Sequence, residues 1–464
     1  MGDRTVLGEM RVPGSFRDPA GYVFEHDGKL YRKVTQQGAS DYEAARDAGI
    51  FGSLAAAGWL VPITEEHPGT AADGYVLGLR RLPWITYPYE WSFELLKAAA
   101  LFHLDLHLEL LNRNFTLSDA TAYNVQFIGP KPIFIDHLSV RPYRDGEFWK
   151  GHRQFCEQFL NPLLLRAYLG RPHNGWYRGS MEGIPVADIA AILPARKKIS
   201  WNVLTNIVLQ NHFQSGSSGD ILKVSINNKR LPKRTLIAML SQMRKWIASL
   251  TTGDKQKTVW ADYSITNTYM GHERDAKHRF VSDYIAHAKP QTIIDIGCNT
   301  GEYSERAILA GAKSVLGFDC DAQALGHAYN RAIVNKIDFL PLFLDARNPS
   351  PSQGWLEKER AGFGERMKAE GLLALAFEHH LAVAHNVPLS QVIGWLVSLA
   401  PTGVIEFIPK TDETVQKMLA LRDDIFNSYD IHEFEDILKS VAQVVRSETV
   451  SQSGRKLFQY RRSS

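Results

Sequence analysis

The strongest chemical signal in this 464-residue sequence is IIDIGCNTGEYS, residues 293–304. An apolar run carries Asp295 into a loop with Gly297 and Gly301, and a helix is expected to begin at about Tyr303. Glycine lets such a loop turn tightly and lets a ligand approach the backbone. The first helical turn adds N–H groups with no partner of their own. Asp319 closes the next apolar run, VLGFD. There a carboxylate can accept hydrogen bonds from two ribose hydroxyls across a crevice. Asp345 ends a third run, in FLDARNP, placed to reach an adenine amino group. A dinucleotide loop would want G-x-G-x-x-G, whereas this one reads G-C-N-T-G.

The spacing D-x-G-x-x-x-G resembles motif I of class I S-adenosylmethionine-dependent methyltransferases, and the resemblance covers roughly residues 255–464. It implies that Asp295, Gly297, Cys298, Asn299 and Gly301 form the loop around the methionine part of the cofactor. It also implies that Asp319, beside Cys320, holds the ribose, and that Asp345, beside Ala346, contacts adenine. The commoner form of the motif has a further glycine where Asn299 stands. Just upstream, WADYSITNTYMGHERDAKHRFV supplies Trp260, Asp262, Tyr263, Tyr269 and Lys277. In related enzymes this segment closes over the cofactor, which makes Tyr269 and Lys277 candidates for the cofactor carboxylate or the substrate.

Methyl transfer is an in-line displacement that needs a well-placed nucleophile and often a base. The segment ALAFEHHLAVAHNVP follows the fourth strand and puts Glu378, His379 and His380 where a base is useful. Histidine titrates near neutrality, and adjacent side chains point different ways, so His380 is taken first and His379 second. Glu406, in VIEFIPKTD, is a further candidate near the substrate. No His/Cys/Asp cluster has metal-ligand spacing, which disfavours a metal-dependent catechol-type enzyme.

A second constellation lies in LSDATAYNVQFIGPKPIFIDHLS, where Asp119, Asn124 and Asp136 stand in the order D-x4-N, hairpin, I-D. Phosphoryl transfer needs an acid near the attacking hydroxyl and oxygen ligands for magnesium. The segment resembles the catalytic loop and metal-binding aspartate of protein-kinase-like folds, sugar and small-molecule kinases included. The resemblance implies Asp119 as the catalytic acid, with Asn124 and Asp136 as magnesium ligands if the site is active on ATP. Lys33 is the candidate phosphate lysine with Glu43 as its partner, ten residues on. Three features depart from the family. Leu117-Ser118 precede the aspartate, His137-Leu138 follow the metal aspartate, and no glycine-rich loop precedes Lys33.

These groups need elements to hold them. Residues 21–34 read as a hairpin around Asp27-Gly28, 41–57 as a helix, 74–82 as a strand and 92–112 as a helix. Two strands follow, joined by Gly129-Pro130, and then helical patterns dominate residues 146–250. From Thr292 strands and helices alternate, which calls for a parallel sheet. Further strands are expected at 372–376 and 404–408, with a closing hairpin at 442–450 and 456–461. The expected fold class is α/β, with a Rossmann-like doubly wound methyltransferase sheet in residues 251–464. An α+β kinase-like domain is expected in residues 1–250, with a strand-rich lobe to about 90 and a helical lobe from 91.

A net charge of +3 over 464 residues does not suggest a nucleic-acid binder. No apolar run reaches the ~18 residues of a membrane span, and the N-terminal residues do not read as a signal peptide. Three cysteines, Cys156, Cys298 and Cys320, form no disulfide framework, and a cytoplasmic setting is expected. The whole arrangement, including ITYPYEWSFELLKAAAL, is similar to bacterial methyltransferases with such an N-terminal extension, some in nodulation or surface-glycan contexts. The leading expectation is O-methylation of a sugar or small metabolite, with the N-terminal half aiding acceptor binding. The alternatives are a bifunctional kinase–methyltransferase using ATP and magnesium, and a non-catalytic cofactor sensor.

Overall fold

The computed structural model describes residues 10–67, 69–70, 72–208, 230–252, 271–420 and 423–462. The chain forms two compact units. Unit 1 takes Met1–Tyr89, Phe93–Asp254 and Ser352–Ala361, and unit 2 takes Glu90–Ser92, Lys255–Pro351 and Gly362–Ser464. No described helix is long and apolar enough to cross a membrane.

Unit 1 begins with an antiparallel sheet of strands β1 (Met10–Arg11), β2 (Gly21–His26), β3 (Lys29–Val34), β4 (Ile63–His67) and β5 (Tyr75–Leu79), in the order β1-β2-β3-β5-β4. Asp27 and Gly28 both take positive φ (48° and 73°), the turn that matches strand twist in a two-residue hairpin. The helix read over 41–57 is two helices, Gln36–Asp47 and Ile50–Ala56. Gly49 sits between them at φ 69°, a left-handed conformation that ends the first helix. A 20-residue helix, Phe93–Asn112, buries Leu95, Leu96, Ala99, Leu106 and Leu110 completely. Four short strands follow, β6 (Phe115–Leu117), β7 (Val125–Ile128), β8 (Lys131–Phe134) and β9 (Val140–Pro142). They pair as β6 with β9 and β7 with β8. The helical remainder contains two five-residue π-helical stretches, Cys156–Leu160 and Leu204–Val208.

Unit 2 is built on β10 (Thr292–Ile296), β11 (Ser314–Asp319), β12 (Phe339–Phe343), β13 (Gly371–Ala374), β14 (Thr402–Phe407), β15 (Gln443–Thr449) and β16 (Lys456–Arg461). Their order is β12-β11-β10-β13-β14-β16-β15; the first five are parallel, while β16 is antiparallel to both β14 and β15. The parallel strands are apolar along their length because helices cover them. Ile293, Ile294, Leu316, Leu342, Leu372 and Val404 are fully buried. The chain winds outward from β10 to β12, then returns to the other side of β10 at β13. That reversal opens a crevice at the C-terminal ends of β10 and β13.

The far edge of this sheet is pinned by one buried ion pair. Arg455 donates to Asp412 through Nε (2.7 Å) and Nη2 (2.9 Å), and both side chains are almost fully buried. Asp412 also accepts from Ser453 Oγ and the Thr414 N–H. Burial opposes its ionisation, but the Arg455 guanidinium outweighs burial and holds the carboxyl at about 2. The pair therefore supports the fold above the unfolded-state value near pH ~4, and that support is lost as pH falls towards 2. Asp412→Ala removes the carboxylate that balances a buried arginine. It is expected to cost about 3–5 kcal/mol in urea unfolding at pH 7; a change below about 1 kcal/mol would show that the pair is not integral to the sheet.

Candidate functional site

The crevice holds a cavity of about 400 Å³. Its wall includes Asp295, Gly297, Cys298 and Asn299 from the loop after β10, and Asp319 and Cys320 after β11. Asp345 and Ala346 line it after β12, and Lys277 reaches it from the helix Gly271–Ala288. Gly301 is not part of the wall. It caps the helix Glu302–Leu309 at φ 79°, where a Cβ would stand 2.3 Å from the Phe339 ring. Gly297 also sits at φ 79°, with Phe377 3.1 Å from where its Cβ would be. Asn299 has φ 48°. Asparagine is among the few residues that tolerate the left-handed region, which explains how it stands where relatives of the motif have glycine. Tyr269, with Trp260, Asp262 and Tyr263, lies outside the described residues.

The loop is locked to the Asp319 carboxylate. Asn299 N–H donates to one oxygen (2.9 Å) and Asp321 N–H to the other (2.8 Å). Burial pushes Asp319 up to about 6 against these hydrogen bonds. Asp321 in turn caps the helix Ala322–Asn335 by accepting from Gln323 and Ala324 N–H. Asp295 is buried more deeply and accepts from Ser304 Oγ at 2.6 Å. Burial pushes it up to about 7, although Ser304 and the Lys277 charge work the other way.

Lys277 lines the cavity and donates from Nζ to Glu406 Oε2 at 2.6 Å. Its ammonium also lies 4.7 Å from the centre of the Tyr303 ring. Glu302, at the start of the helix, accepts from Arg274 Nε and His278 Nε2, both at 2.6 Å. Burial raises its pKa, but these two partners prevail and hold it at about 2. Asp345 accepts a two-pronged contact from Arg347 (2.8 and 2.9 Å), which keeps it below the usual carboxylate range. Any adenine amino group must share this carboxylate with Arg347.

Of the three residues expected as a base, only His380 lines the cavity. Burial, then the neighbouring His379 and His385, lower it to about 3, so it is neutral at physiological pH. Glu378 and His379 are corrections to the sequence reading. Glu378 is fully buried and accepts from Ile408 N–H (3.0 Å), Tyr429 OH (2.8 Å) and the backbone N–H and Nδ1 of His379. The short helix Glu378–Ala382 turns these two side chains into the packing after β14 and His380 to the cavity. Glu406 is likewise fully buried and is not part of the cavity wall.

In unit 1, Asp119, Asn124 and Asp136 do come together. Asn124 Nδ2 lies 3.3 and 3.4 Å from the Asp119 oxygens and 3.2 Å from Asp136 Oδ2. Ser139 Oγ donates to Asp119 at 2.6 Å. Burial, then the nearby Asp136, raises Asp119 to about 6. Lys33 does not join them. Its Nζ donates to the Asp73 carbonyl at 3.0 Å, and Glu43 accepts from Tyr75 OH instead. Side chains alternate along a strand, so the inward position on β3 falls to Arg32, whose Nη1 donates to Asp136. Among the described residues, no group of three or more His, Cys, Asp or Glu is placed to hold a metal ion.

The sequence reading missed Arg32, Glu302, Tyr303, Arg347 and Phe377. Glu302 and Tyr303 directly follow the glycine loop, and Arg347 stands two residues after Asp345, so proximity to the motifs was an available signal. Arg32 depended on strand parity, and Phe377 on the packing against Gly297.

No known protein-family profile matches the chain. Over 461 residues it is 48% identical to nodulation protein NoeA of Rhizobium meliloti, covering 98% of this chain and 96% of that protein. A 64-residue stretch is 41% identical to ribosomal protein L11 methyltransferase of Histophilus somni, covering 14% of this chain and 22% of that one. Among solved structures, magnesium protoporphyrin IX methyltransferase of Synechocystis aligns at 17% identity, with a TM-score of 0.31, over 49% of this chain and 95% of that one. The N-methyltransferase NodS of Bradyrhizobium japonicum aligns at 12% identity, with a TM-score of 0.31, over 41% of this chain and 88% of that one. Since identity to NoeA runs through nearly the whole length of both proteins, the chain belongs to the NoeA family.

Proposed function

We propose that unit 2 transfers a methyl group from S-adenosylmethionine to an oxygen atom of a sugar or small metabolite, and that unit 1 helps bind this acceptor. The observation that carries the reading is a charge pattern around one cavity that suits the cofactor's amino-acid end. Asp295 is buried and raised to about 7 even with the Lys277 charge nearby, and it suits the α-ammonium; Lys277 suits the carboxylate. Each Asp319 oxygen accepts one backbone N–H and keeps acceptor capacity for a ribose hydroxyl. Gly297 holds φ 79° against the Phe377 ring, where a side chain would be both strained and crowded.

When bound, S-adenosylmethionine supplies the electrophilic methyl group on its sulfonium. The chain's own residues then align the acceptor and take its proton. His380 lines the cavity beside His385, and its low pKa leaves the ring neutral and able to accept a hydrogen bond from the acceptor hydroxyl. The same low pKa makes it a weak base, so its contribution is mostly alignment of the acceptor hydroxyl. Nodulation, the process named for the full-length relative, supports a bacterial metabolite or glycan as acceptor.

His380→Ala is expected to lower methyl transfer into bacterial extract by about 10²-fold or more while S-adenosylhomocysteine affinity stays within about twofold. Because the ring is neutral down to pH ~4, the wild-type rate should not fall between pH 8 and pH 5 on account of this group. Unchanged transfer in the variant would remove His380 from the chemistry.

A second reading, phosphoryl transfer in unit 1, is favoured by the convergence of Asp119, Asn124 and Asp136. In the kinase-like reading Asn124 and Asp136 take magnesium. The Arg32 guanidinium on Asp136 competes with any such cation. Two-domain phosphoryl and methyl transfer predicts magnesium-dependent ATP turnover that Asp136→Asn abolishes. Absence of any heat on titrating ATP with magnesium would retire it and leave unit 1 its acceptor-binding role.

A further inference from the structure

The Lys277–Glu406 pair is the least expected feature of the cavity. Lys277 is 2% exposed and Glu406 0%; 129 residues apart in the chain, they meet where the helix Gly271–Ala288 packs against β14. A buried ion pair is a weak source of stability, because desolvation consumes most of the attraction. Burial lowers the Lys277 pKa, and the Glu406 charge and hydrogen bond work against that loss. Arg455 also reaches the ammonium and disfavours it, while Glu302 and the nearby Asp295 carboxyl favour it. Tyr303 presents its ring to the same ammonium from the loop-side helix.

We infer that Glu406 is a positioning residue for cofactor binding: it keeps Lys277 charged and aimed into the cavity, where Lys277 binds the carboxylate of the cofactor's amino-acid end. This rests on the cofactor site proposed above. Glu406 itself touches neither cofactor nor acceptor, which revises its expected place beside the substrate. Its location on β14, at the heart of the sheet, makes it a fixed anchor for a long and flexible side chain. A neutral glutamine there would leave Lys277 with a hydrogen-bond partner but no compensating charge, and a buried lysine then sheds its proton readily.

The test compares two probes on the full chain by titration calorimetry. S-Adenosylhomocysteine carries the amino-acid end; 5′-methylthioadenosine has the same nucleoside and sulfur without it. In Glu406→Gln, affinity for S-adenosylhomocysteine should fall about tenfold or more, and affinity for methylthioadenosine should stay within about twofold. Lys277→Met should show the same split, and combining it with Glu406→Gln should add nothing further, since the two act as one unit. Thermal melting of each variant checks that it is folded, and Lys277→Met keeps the test decisive if Glu406→Gln is not. Equal loss of both probes, or no loss of either, overturns the inference and makes the pair purely structural. If neither probe binds the unaltered protein, the cofactor site itself is wrong and the inference falls with it.

Discussion

A carboxyl group buried at the end of β10 sets the terms for unit 2. Asp295 sits where the sheet reverses direction, away from water, with one hydroxyl donor and a lysine charge nearby. That is too little to hold a full negative charge, so its pKa rises to about 7. A fold gains no stability from such a group. It makes sense as a site prepared for a cation that arrives from outside, and the α-ammonium of an amino acid is such a cation. Lys277, tethered by Glu406, offers the matching positive charge for a carboxylate. In the proposed function the two together form a receptor for a zwitterion, set beside an acid, Asp319, suited to ribose.

The rest of the unit serves this arrangement. The reversal of strand order between β10 and β13 creates the crevice, and backbone N–H groups rather than side chains fix Asp319. Two of the ten described non-glycine residues with positive φ lie at the wall. Asn299 and Ala376 both take positive φ there, as does Gly297. Non-glycine residues hold such angles only where surrounding structure compels them, and binding sites are where that cost recurs. The Asp412–Arg455 pair sits on the opposite account: it stabilises the sheet edge and takes no part in the cavity.

The sheet was legible in the sequence because buried parallel strands are short apolar runs separated by helix-length segments, and every strand from Thr292 onward lies within a few residues of its reading. The glycine loop and the acids after the second and third strands were legible because close approach to a ligand restricts residue type at fixed spacing. What the sequence hid was orientation and distance. Glu378, His379 and His380 are consecutive, and only the path of one short helix decides that His380 alone meets the cavity. Lys33 and Arg32 differ by one position, and the register of β3 gives the inward place to arginine. The link from Lys277 to Glu406 joins residues 129 positions apart in the chain and has no local signature. The same holds for Glu90–Ser92, which belong to unit 2 through the bridge between Trp91 and Leu342.

In the proposed function, unit 2 receives the cofactor's charged amino-acid end at Asp295 and Lys277. Calorimetric titration of S-adenosylhomocysteine into the full chain at pH 8 and at pH 6 tests it most directly. An ammonium beside Asp295 favours the ionised carboxyl, so binding below pH 7 must expel a proton, and affinity must weaken as pH falls. The account predicts one site per chain, several-fold weaker at pH 6 than at pH 8, with proton release visible as a buffer-dependent heat at pH 6 and the pH effect lost in Asp295→Asn. Absence of binding at both pH values, or binding of equal strength with no proton exchanged, would contradict it.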